Sequence, residues 1–156
     1  MRLRLAVLAV AASTFAFLAG TAGGAIAPQK GIAGVKLGMS QAKVRSVLGK
    51  PVSVVHGKND FGKYTMFRYI RLQVIFQGNS AVTDVSTSRK SERTRSGAGI
   101  GSTEDQIKAK VAGVKCKVES GFHHCFVGRF LPGKRVTDFL FANDRVVRVD
   151  IAIVID

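Results

Sequence analysis

Cys116 and Cys125 are the only cysteines of the 156-residue chain, and they enclose Lys117-Val118-Glu119-Ser120-Gly121-Phe122-His123-His124. If Ser120-Gly121 is a two-residue hairpin turn, strand partners sum to 241, so 119 faces 122, 118 faces 123, 117 faces 124 and 116 faces 125. The alternation then makes 116–125 a non-hydrogen-bonded pair, with Cα atoms about 4.5 Å apart, within reach of a disulfide. The spacing predicts a structural Cys116–Cys125 disulfide. The competing chemistry is zinc, because His123 and His124 adjoin Cys125 and zinc accepts two Cys and two His. Adjacent strand residues point to opposite faces, so His124 cannot share a site with both His123 and Cys125. No metal site is expected, and a redox centre would need a Cys-x-x-Cys spacing that the chain lacks.

Other chemistry is sparse. The remaining histidine, His56, falls at an expected strand end, and the ten acidic residues are scattered, mostly in turns and strand ends. No nucleophile stands beside a base and no carboxylate pair has a persuasive spacing. Gly97-Ala98-Gly99-Ile100-Gly101 is rich in glycine but does not follow a strand of a βαβ unit, so it does not read as a dinucleotide loop. The expectation is a protein that is not an enzyme and needs no cofactor. Tyr64, Phe67, Arg68, Tyr69 and Arg71 instead mix aromatic and basic groups, and Lys58-Asn59-Asp60-Phe61 forms a turn beside them. The candidate binding residues are therefore Lys58, Phe61, Tyr64, Arg68 and Tyr69. The same mixture occurs in single-strand nucleic-acid binders, but in an exported protein nucleic acid is not the expected partner.

The elements that would position these residues follow from local signals. Ser40 and Thr103 read as hydroxyl N-caps. Val44, Val47 and Leu48 follow the first at helical spacing, and Ile107 and Val111 follow the second. Gly49 and Gly113 read as the ends of two short helices, and Gly38 and Gly101 as backbone positions that other residues resist. Strand signals come next: Val52–His56, Lys63–Ile70, Leu72–Gln77 and Ala81–Ser86, then Val114–Glu119, Phe122–Arg129, Val136–Phe141 and Val146–Ile155. An offset of 63 pairs Gly34 with Gly97, Gly38 with Gly101, Ser40 with Thr103 and Val44 with Ile107. The expectation is an α+β fold of two tandem repeats, each a short N-terminal helix followed by an antiparallel sheet of about four strands. They span 28–87 and 97–156, with a solvated basic linker over 88–96. A unit of this size buries little surface alone, so the two would gain by sharing a sheet or packing edges.

The N-terminus bounds the location. Arg2 and Arg4 precede an uncharged stretch from Leu5 to Ala27 that ends in small residues, the layout of a secretory signal peptide over 1–25, with cleavage after Ala22 or Ala25. An uncleaved anchor is the competing reading, weakened by the Ala, Gly, Ser and Thr content of the stretch. No cysteine lies near the cut, so no lipid anchor is expected. The mature protein should be secreted or periplasmic. The formal net charge is +14 and unevenly spread: 13 basic and 3 acidic residues from Pro28 to Ser96, against 9 and 7 from Gly97 to Asp156. Such a balance favours acidic partners.

The block Gly38-Met39-Ser40-Gln41-Ala42-Lys43-Val44, then Leu48-Gly49-Lys50-Pro51, resembles the opening motif of the outer-membrane assembly lipoprotein BamE (SmpA/OmlA) family and of the secreted β-lactamase inhibitor protein (BLIP) family. The likeness in duplication and order covers about residues 31 to 155. Two departures stand out: no lipobox cysteine, and no cysteine pair in the first repeat, where the inhibitor family carries one in each. No contact residue of the inhibitors matches a position here. The resemblance implies an exported, non-enzymatic protein-binding module whose partner is a protein of the envelope or extracellular space. The alternative is an electrostatic binder of anionic cell-wall polymer or lipid headgroups through the basic first half.

Overall fold

The protein is described from a computed structural model covering residues 25–155. The expected signal peptide lies almost wholly outside the described residues. The described residues open with three two-residue strands, β1 (Ile26–Ala27), β2 (Gly31–Ile32) and β3 (Val35–Lys36), which pair antiparallel as a small sheet. Helix α1 (Gln41–Leu48) leads into β4 (Ser53–Asn59), β5 (Gly62–Tyr69), β6 (Leu72–Gln77) and β7 (Asp84–Thr87). Helix α2 (Glu104–Lys110) leads into β8 (Lys115–Glu119), β9 (Phe122–Gly128), β10 (Arg135–Ala142) and β11 (Arg145–Ile153).

The expected α+β class with two tandem helix-plus-sheet repeats is overturned. The described chain is mostly β, with helices of only eight and seven residues, and strands from both halves merge into one eight-stranded antiparallel sheet, ordered β4-β5-β6-β7-β11-β10-β9-β8. The seam is β7 against β11, in register from Val149↔Thr87 to Ala152↔Asp84. Closing it removes two unpaired sheet edges and lets both halves share a core that neither would fill alone. The small sheet over residues 26–36 was not foreseen, because two-residue strands carry no readable period.

The local signals explain the elements. Ser40 accepts from the Lys43 N–H at 3.2 Å, and Thr103 with Gln106 forms a reciprocal capping box, so both helices start with their orphan donors satisfied. Gly49 ends α1 at φ 77°, and Gly38 and Gly101 both sit at φ 87°. Helix α2, however, ends at Lys110 with Val111 as its cap, two residues before the expected Gly113.

One face of the large sheet is covered. Phe67, Val74, Val85 and Ile151 occupy one cross-strand row and are fully buried against Val44 of α1, Ile107 of α2, and Ile32 and Val35 of the small sheet. The opposite face has no element over it among the described residues. A bulge between Leu140 and Phe141 shifts the start of β11, so Val146 turns into the core while Val147 is 44% exposed.

Candidate functional site

Cross-strand partners point to the same side, so the register defines the open face. Its central row runs Ser53, Arg68, Gln73, Ser86, Asp150, Asp138, Phe126 and Lys115, one residue from each of the eight strands. Asp150 stands directly opposite Asp138, and Asp84 lies diagonally next to Asp150 because it pairs with Ala152. Arg148 and His124, two residues along their strands, complete the group.

The polar contacts are specific. His124 Nδ1 is 3.0 Å from both oxygens of the Asp138 carboxylate. Arg148 Nε donates to Asp150 at 2.8 Å. Asp84 makes no side-chain hydrogen bond among the described residues. Burial pushes the Asp84 carboxyl up to about 7, Asp150 adds repulsion, and Arg148 partly opposes both. Burial also raises Asp150 against the counter-pull of Arg148, and Asp138 against that of His124. Three half-buried carboxylates thus share one guanidinium and one imidazole.

Apolar groups surround this centre. His124, Phe126 and Phe130 form an aromatic cluster, with Phe126 and Phe130 edge-to-face at 5.0 Å and Phe130 45% exposed. Lys117 Nζ sits 5.5 Å above the Phe126 ring and also pairs with Glu119. Leu140, opposite His124, and Phe122 at the hairpin edge bound a shallow hollow over His124 and Asp138. On the other flank Met66, Ile75 and Tyr64 lie half-buried on the same face.

The residues singled out in the sequence are dispersed. Tyr64 and Arg68 reach the open face; the Tyr64 ring lies over Gly57, where any Cβ would stand 2.5 Å from it. Both sit on β5, three strands from Asp150, or about 14 Å at sheet spacing. Tyr69 points to the helix side and its hydroxyl donates to the Gly49 carbonyl at 3.2 Å, tying β5 to the end of α1. Lys58 pairs with Lys63 on that side too, and Phe61 is half-exposed in the β4–β5 turn. The five therefore form no single site. The central group was missed because its members lie 66 residues apart in the chain. The available signal was a charged residue inside a strand pattern, as at Asp138 and Asp150.

The hairpin chemistry matches its arithmetic. Cys116 pairs with Cys125, Lys117 with His124, Val118 with His123 and Glu119 with Phe122. The cysteines form the disulfide, with Cα atoms 4.0 Å apart, a bond consistent with an extracytoplasmic location. His123 and His124 take opposite faces: His123 stacks on Phe141 and meets Glu104 of α2, while His124 turns to Asp138. Glu104 lies close to both cysteine sulfurs, but sulfurs joined to each other are spent as metal ligands. The segment 88–96 is tied to the core: Glu92 and Thr94 are buried, and the Arg93 guanidinium donates to the carbonyls of Gly97 and Ile100.

No protein-family model matches the chain, and no curated protein matches it significantly. Two solved structures are similar. One is an extracellular protein containing a SCP domain from Bacillus anthracis str. Ames, with TM-score 0.49 and 10% identity, covering 75% of this chain and 44% of that one. This chain thus spans less than half of that protein. The other is a DUF4309 family protein (YjgB) from Bacillus subtilis subsp. subtilis str. 168, with TM-score 0.50 and 12% identity, covering 83% of this chain and 88% of that one. At such identity the second likeness speaks to the fold alone. Neither protein is described as a BamE or β-lactamase inhibitor protein.

Proposed function

We propose that the chain is an exported, non-enzymatic protein-binding module that takes its partner on the open face of the eight-stranded sheet. The observation that carries this is the group Asp84, Asp138, Asp150, His124 and Arg148, with its carboxylates half-buried, its imidazole buried and its guanidinium exposed, within a face that no element covers among the described residues and flanked by aromatic and aliphatic side chains. Protein interfaces concentrate affinity in a few desolvated anchors, and charge complementarity among them supplies specificity. Asp84 has no side-chain hydrogen-bond partner among the described residues, so the fitting partner presents a basic side chain to it within an apolar surround. Catalysis is the weaker reading. The central row carries two hydroxyls, Ser53 and Ser86, and the nearer, Ser86, lies three strands from His124, about 14 Å away at sheet spacing and out of proton-transfer reach.

The test is capture by the mature protein from extracellular and envelope fractions, washed at low and high salt. Wild type should retain a discrete protein at high salt, Gln73→Trp on the open face should lose it, and Lys43→Glu on the far side of the molecule should keep it. Retention that ignores Gln73→Trp would overturn the assignment of the face. The second reading, a binder of anionic wall polymer or lipid headgroups, is favoured by the 13 basic against 3 acidic residues of Pro28 to Ser96. It predicts retention on polymer or lipid at low salt only.

A further inference from the structure

On the helix side of the sheet, where the segment 94–96 passes the end of α2, there is an open hollow of about 600 Å³. This is within the range of about 300–1,000 Å³ typical of small-molecule sites. Its wall is apolar, built from Pro28, Val111, Ala112 and Val127, and Arg95 and Lys110 stand at the rim. The neutral polar groups of the lining are already committed. The Thr94 hydroxyl accepts from the Ala98 N–H at 2.9 Å, the Ser96 hydroxyl donates to the Lys110 carbonyl, and the Gln29 side-chain amide donates to the Arg135 carbonyl at 3.1 Å. They ask nothing of a ligand, so the wall behaves as hydrocarbon. Arg95 and Lys110, in contrast, have no side-chain hydrogen bond or ion pair among the described residues. The last turn of a helix is the negative end of its dipole; an anion held there needs cations, and these two supply them.

We infer that this hollow binds a single-chain anionic amphiphile, a long-chain carboxylate whose acyl chain lies along Val111, Ala112 and Val127 while its head pairs with Arg95 and Lys110. The guanidinium fork matches a carboxylate in two-point geometry, and Lys110 adds a point charge. The site lies on the opposite side of the large sheet from the open face and does not depend on the protein-binding reading.

The test is calorimetric titration of the mature, disulfide-intact protein with dodecanoate below its critical micelle concentration. One saturable site is expected, with octanoate at least tenfold weaker because fewer methylenes leave water. Arg95→Gln/Lys110→Gln should weaken dodecanoate at least tenfold. Ala112→Trp, at an exposed position on the wall, should abolish binding by filling the hollow. An unchanged cooperative thermal unfolding transition of both variants, with the disulfide intact, keeps misfolding apart from loss of the site. Absence of saturable binding to wild type, or equal binding to both variants, would overturn the inference. So would attachment to anionic phosphatidylglycerol vesicles without uptake of free dodecanoate, which would reassign Arg95 and Lys110 to a membrane surface.

Discussion

Asp84→Asn should make the protein more stable at alkaline pH, although it removes a charge that lies near Arg148. Asp84 sits on β7 between Ile75 of β6 and Ala152 of β11, hemmed in by strands on both sides and without a hydrogen-bond partner for its carboxyl among the described residues. Burial first, and Asp150 second, push its pKa from 3.8 to about 7. A folded-state pKa above the unfolded value means that the native protein holds the proton more tightly, so ionisation works against folding. The penalty is complete above pH 7, shrinks by about 1.4 kcal/mol per pH unit as pH falls from 7 towards 3.8, and is gone below that. A shift of this size sets a ceiling of about 4 kcal/mol, and partial solvent access at the site reduces the expected gain to about 2–3 kcal/mol at pH 8. Urea denaturation of wild type and Asp84→Asn, with the disulfide intact, at pH 8, 6.5 and 5 measures it. The variant's advantage should be greatest at pH 8 and close by half or more at pH 5. Two parallel pH profiles, or a variant no more stable at pH 8, would refute the claim that Asp84 is held in an environment hostile to its charge.

Two further outcomes follow from the packing. Replacing Cys116 and Cys125 by serine should cost about 2–3 kcal/mol in urea, the loop-entropy value for so short a closed loop, while leaving the β8–β9 register intact by hydrogen exchange; a loss below about 0.5 kcal/mol would show that the hairpin needs no covalent constraint. Phe67, fully buried and edge-to-face with Phe76 at 4.8 Å beneath the Arg45 guanidinium, anchors the first half of the core. Phe67→Ala should cost about 3–5 kcal/mol in the same assay, and a cost under about 1 kcal/mol would place the core elsewhere.

The two chemical readings of the sequence fared differently for a physical reason. The Cys116–Cys125 pairing depends on a turn two residues long, so register over the nine intervening bonds follows from counting, and the histidines are sorted to opposite faces by the same count. The binding set Lys58, Phe61, Tyr64, Arg68 and Tyr69 was chosen by adjacency in the chain, and adjacency in a strand means opposite faces: Arg68 went to the open side and Tyr69 to the helix side. The group with coupled electrostatics, Asp84, Asp138, Asp150, His124 and Arg148, comes from four strands and could be assembled only across the β7–β11 seam and its neighbours.

By itself the sequence determined what short-range physics determines. It set the capped helix starts at Ser40 and Thr103, the strand β6 over Leu72–Gln77 as expected, and the disulfide across a two-residue turn. Each depends on groups within a turn or a hairpin, where the chain's own geometry brings the partners together. Only the tertiary structure decided that the halves share one sheet, that residues 26–36 form a second sheet beneath it, and that a bulge turns Val146 inward. A strand's period says that one face is buried but not which edge it pairs with; that depends on which pairing removes most edge and apolar surface from water, a property of the whole chain.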